Sequence, residues 1–124
     1  MLNIEITKGN EDGTLELEVN GNHSNGNEKA KKGSPVNWKV KPNSNVKHIH
    51  AITMKTGNFN PPNTNIFSND PPTPQGGGKS KHWKGSINAG AADGAEFSYD
   101  IHWVPEGSAD VKIFDPKISV LPDF

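Results

Sequence analysis

Two short histidine motifs have the residue types and spacing to do chemistry: His48-x-His50 and Asp100-x-His102. Side chains at i and i+2 of a β-strand share one face, so two such pairs on neighbouring strands could present three imidazoles and a carboxylate together. That donor set suits Zn²⁺ or Cu²⁺. H-x-H also arises often by chance, so solvent-facing histidines on a sheet surface are the simpler expectation. His23 and His82 adjoin flexible stretches and are read as incidental.

Other chemistries find less support. Asn10, Glu11, Asp12 and Asp93 offer oxygen ligands for calcium, but they lack EF-hand spacing and read as turn residues. Trp38, Trp83 and Trp103 could form a sugar-stacking platform for a carbohydrate. Trp38 and Trp103 run in phase with core positions, which leaves Trp83 as the best candidate for an exposed contact, with burial still its simpler expectation. No nucleophile-plus-base arrangement stands out: Ser34, Ser68, Ser80 and Ser86 fall in turns or near breaks in the pattern. There is no cysteine, which removes thiolate catalysis, disulfides and cysteine metal sites. No enzymatic activity is expected.

The elements that must hold these residues are strands. Leu2, Ile4 and Ile6, then Leu15, Leu17 and Val19, alternate with polar residues, as one-sided strands do. Segment 21–33 reads as a polar excursion bounded by the turn formers Asn20-Gly21 and Asn25-Gly26. The stretch 33–55 reads as a hairpin: Val36, Trp38 and Val40 alternate, Pro42-Asn43-Ser44-Asn45 turns, and a second strand runs from Val46 to about Met54. In that second strand Ile49 and Ile52 are three apart, against strict alternation. A β-bulge near Ala51 would return both to the core and leave His48 and His50 on the outer face. A strand follows at 82–87. The clearest lies at 95–104, with Phe97, Tyr99, Ile101 and Trp103 on one face. Val111, Ile113, Ile118 and Val120 form a last strand broken by Asp115-Pro116, which suggests a bulge or an edge position.

Between these strands, 57–81 is a long loop rich in proline, glycine and asparagine. Loops of this length are functional or disordered more often than not. Phe59, Ile66 and Phe67 should tack its middle onto the body, and Gly76–Lys81 should be mobile.

Composition agrees with this pattern. A chain of 124 residues fits one domain, and 31% apolar content implies a thin core with long polar loops. The net charge is −1 and every basic residue is lysine. Without arginine, the bidentate contacts most used on guanine and phosphate are missing, so nucleic acid is not an expected partner. No run approaches the roughly 18 apolar residues of a membrane helix, so membrane insertion is not expected. The start Met-Leu-Asn-Ile-Glu-Ile-Thr has neither the basic nor the apolar region of a leader. Taken as written, the chain is expected in the cytoplasm, unless it is exported without a leader or has lost one.

Ala30-Lys31-Lys32-Gly33-Ser34-Pro35-Val36-Asn37-Trp38, followed by a histidine-bearing strand, resembles the middle of cupredoxin-like domains, and the whole pattern is similar to a cupredoxin-like or immunoglobulin-like sandwich. The resemblance implies architecture. It does not extend to electron transfer, because type 1 copper needs a cysteine thiolate. The ending Phe114-Asp115-Pro116-Lys117-Ile118-Ser119-Val120 also resembles that of small uncharacterised bacterial sandwich proteins.

The sequence therefore predicts a single all-β domain over 1–124: an antiparallel two-sheet sandwich of seven or eight strands in a Greek-key order. Its expected function is that of a binding, structural or assembly module with a protein partner, or with itself. Phe59, Ile66, Phe67 and Trp83 would be the apolar anchors, and edge strands a second route to association. The alternatives are a histidine-based Zn²⁺ or Cu²⁺ protein using His48, His50, Asp100 and His102, and a carbohydrate-binding module.

Overall fold

The computed structural model describes residues 2–58, 63–68, 72–75 and 81–121. Among them the chain forms eleven strands and no helix, arranged in two sheets. Alternation explains the first sheet. β1 (Leu2–Gly9) and β2 (Leu15–Val19) bury Leu2, Ile4, Ile6, Leu15 and Leu17 and turn their polar residues outward. β2 passes into β3 (Asn22–Ser24) through Asn20 and Gly21, both at positive φ, the geometry a two-residue hairpin needs. On the other side of β1 lie β5 (Pro35–Val40), β8 (His82–Ser86) and the two-residue β7 (Thr73–Pro74).

The second sheet is centred on β9 (Glu96–Pro105). β6 (Val46–Met54) pairs along one edge of β9, and β10 (Lys112–Phe114) and β11 (Lys117–Val120) follow each other along the opposite edge. β4 (Asn27–Ala30) lies beyond β11. β10 and β11 keep one register, with Phe114 opposite Ile101 and Lys117 opposite Ser98. Between them Tyr99 N–H donates to the Pro116 carbonyl at 3.2 Å. The Asp115-Pro116 break is therefore a missing donor within a continuous pairing, since proline has no N–H, and not a bulge.

Three features depart from the sequence reading. β1–β5 and β4–β11 are parallel pairs, so both sheets are mixed and not purely antiparallel. Each of these pairs joins strands far apart in sequence, which leaves room for the crossover that parallel pairing requires. The polar excursion at 21–33 contains β3 and β4, each too short to show a pattern beyond one buried residue, Ser24 and Ala30. The stretch 33–55 is not a hairpin. β5 belongs to one sheet and β6 to the other, and the turn between them crosses the sandwich. Asn43 and Asn45 adopt positive φ there, and buried Ser44 accepts Gly9 N–H through its carbonyl at 2.8 Å.

Between the sheets lies an aromatic cluster. Trp38 meets Tyr99 edge-on at 5.8 Å and donates its Nε1–H to the Tyr99 hydroxyl at 3.1 Å. Phe67 meets Phe97 edge-on at 5.0 Å and Trp38 at 6.1 Å. Such pairs contribute about 0.5–1.5 kcal/mol each beyond the area they bury. Gly85 leaves room for Phe67, because a Cβ there would stand 2.7 Å from the Phe67 ring.

Candidate functional site

The strand that carries the histidine pair has three core residues spaced by three, Val46, Ile49 and Ile52, none more than 2% exposed. Regular pleating alternates, so each step of three needs one extra residue. The register against β9 slips between Val46 and His48 and again between Ile49 and Ala51. The second slip is the bulge expected near Ala51, and both isoleucines are inside. The first is an addition to the sequence reading, required because Val46 also belongs to the core.

Two bulges in one strand change what reaches the surface. Lys47 and His50 are exposed, and His48 lies opposite Val104 at 9% exposure, more buried than an outward position implies. Lys47, His48 and His50 line one side of a groove of about 220 Å³, with Ser108, Ala109 and Val111 on the other and buried Val104 at its floor.

Asp100 and His102 lie further along β9, opposite Thr53 and Ala51. Lys55 Nζ stands 2.7 Å from Asp100 Oδ1 and 2.5 Å from Asp115 Oδ1. These two ion pairs push the Lys55 ammonium above its usual pKa. His102 Nε2 and Thr53 Oγ1 are 3.0 Å apart. The structure thus places His48 and His50 on one groove and gives Asp100 and His102 partners of their own. Among the described residues no three His, Cys, Asp or Glu side chains gather into a set for a metal ion. Asp12 is a turn residue: its Oδ1 accepts the Thr14 hydroxyl at 2.6 Å and the Thr14 N–H at 3.0 Å, which holds its pKa below the usual value.

Three of the four apolar anchors named from the sequence lie inside the protein. Ile66, Phe67 and Trp83 are buried in the core, and Phe59 lies outside the described residues. The physical reason is the thin core: with few apolar residues available, the sandwich draws on those of its long loop. Phe67 bridges to Ile87, and the Asn63 side-chain amide bonds the Lys55 and Ser98 carbonyls at 3.0 and 2.8 Å and the Ser98 N–H at 2.7 Å. That amide stands in for a strand neighbour. The expectation of a mobile Gly76–Lys81 falls outside the described residues except for Lys81. Trp38, Trp83 and Trp103 are all buried, which leaves no indole face for a sugar to stack on.

Sequence reasoning missed the apolar surface. Val111 and Ile113 are 45% and 54% exposed, and Ile113 pairs with outward-facing His102. The signal was present. Ile113 and Ile118 are five apart, so in an unbroken strand they must face opposite sides, and Ile118 is buried.

Fold and site together define an all-β, two-sheet sandwich-like domain with a basic, apolar-floored groove on the outside of its second sheet. No family model matches the chain, and no curated protein matches it. Among the described residues no helix is long and apolar enough to cross a membrane.

Proposed function

We propose that this protein is a non-catalytic binding module that takes a protein partner on the outer face of β6, β9 and β10. One observation carries the reading: Val111 and Ile113 are exposed, two residues apart, beside a groove floored by buried Val104. Single exposed hydrophobics are ordinary, but a contiguous apolar patch with a polar rim is the anatomy of a contact surface. The groove's volume of about 220 Å³ is below the roughly 300–1,000 Å³ of small-molecule pockets. It suits one or two side chains of a partner better than an enclosed substrate.

The sandwich is read as cupredoxin-like in architecture, on the strength of the Ala30–Trp38 stretch. With no cysteine for type 1 copper, the reading rests on the surface and not on a redox centre. The test is a random-peptide display selection against the intact protein, followed by affinity measurement on a Val111→Lys/Ile113→Lys variant. Selected peptides are expected to bind the variant at least about tenfold more weakly, as loss of a central apolar contact does. Equal binding to both proteins, or a selection that yields no specific binder, would overturn the proposal.

A further inference from the structure

We infer that the groove at the β6 bulges selects an acidic protein segment, seating a carboxylate side chain among Lys47, His48 and His50 while a neighbouring apolar side chain rests on Val111. This rests on the binding reading above and adds the chemistry of the partner.

The bulges carry the argument. A regular strand sends every second residue outward, so three basic side chains in four positions would be split between core and surface. Here both slips add a residue on the outer side, and Lys47, His48 and His50 all border the same groove. Bulges commonly re-aim side chains at functional positions. The bulges also break the regular repeat of β6, an edge strand that among the described residues pairs only with β9. An edge broken in this way is a poor template for an added strand, so recognition falls to side chains.

Charge fixes the class of partner. No acidic side chain lines the groove. Glu106 and Asp110 stand on the same loop as Ser108 but outside the lining, and the Asp110 N–H donates to Ser108 Oγ at 3.1 Å. Asp100, further along the same face, is held by Lys55. A carboxylate brought to this side of the groove meets the exposed Lys47 ammonium and His50 imidazole, and charge-assisted hydrogen bonds of this kind are about twice as strong as neutral ones.

The probe is a fluorescein-labelled peptide Glu-Leu-Asp-Val-Glu, compared with its amide counterpart Gln-Leu-Asn-Val-Gln. Both are titrated into the full chain and into Lys47→Gln, His50→Gln and, as a control on the first sheet, Lys84→Gln. Lys47 and His50 are exposed, so both variants should keep the fold, which circular dichroism checks. The acidic peptide is expected to bind about tenfold tighter than the amide form, and Lys47→Gln and His50→Gln should each reduce its affinity by about threefold or more, with Lys84→Gln neutral. Equal affinity for the two peptides, or affinity unchanged in both groove variants, overturns the inference. If display-selected peptides still need Val111 and Ile113 but ignore the acid-to-amide exchange, the charge inference fails and the binding reading stands. If the wild-type chain forms a dimer that Lys47→Gln dissolves and that excludes the peptide, the occupant is a second copy, and the inference of a separate acidic partner is wrong.

Discussion

Tyr99 is the only tyrosine in the chain, and it is fully buried with its hydroxyl accepting the Trp38 indole N–H. Ionising it would place a charge between the sheets, and burial pushes its pKa well above the ordinary value of 10.0. Lys55 is also raised, from 10.5, by its ion pairs with Asp100 and Asp115. In both cases the folded pKa exceeds the unfolded one. The stability each contributes is complete below its unfolded value and is lost as pH rises beyond it. The denaturation midpoint should therefore hold level between about pH 7 and 9 and fall above about pH 10. With a single tyrosine the phenolate absorbance gives a clear check: it should appear together with unfolding. Phenolate formation near pH 10 in a protein that keeps its near-ultraviolet circular dichroism would contradict a buried, bonded Tyr99.

At the scale of the element, β6 joins the fold to the proposed function, because its two bulges satisfy the core and place Lys47, His48 and His50 on the groove. A bulge residue is surplus to the pairing, so deleting His50 should leave Ile49 opposite Trp103 and Ala51 opposite His102 in a regular strand. The chain lacking His50 should fold, with Ile49 and Ile52 still buried, and lose its peptide binding. Deleting His102 from β9, which has no surplus residue there, should reverse the facing of the strand beyond it and unfold the domain. Denaturant titration of the two deletions checks this, and equal damage from both would count against the bulge assignment. The sequence makes part of this strand readable. Ile49 and Ile52 announce one bulge through their spacing, but the second depends on Val46 being core, and a valine after a turn carries no such label. The same limit hides β3 and β4, whose few residues are too short for a period. It also hides the direction of pairing, since alternation is identical in parallel and antiparallel strands.

At the scale of the whole molecule, the alternating hydrophobics on β1, β2, β5 and β9 make the two-sheet architecture legible before any coordinates. The assignment of surface and interior within the long loop is less so. The sequence suggests two roles for Ile66 and Phe67, tacking the loop onto the body and, with Trp83 of β8, anchoring a partner; all three are buried, as a sandwich with so few apolar residues requires. Val111 and Ile113 look like core because they alternate, yet the register through Asp115-Pro116 turns them out. The exchange of these two groups moves the expected contact surface from the loop to the outside of the second sheet. A map of amide chemical shifts, recorded while a selected peptide is titrated into isotope-labelled protein, tests that relocation most directly. The account predicts that the largest changes fall on 46–51 and 104–113, with the residues of the first sheet unmoved. Changes centred on 63–75 or on β5 and β8 would contradict it.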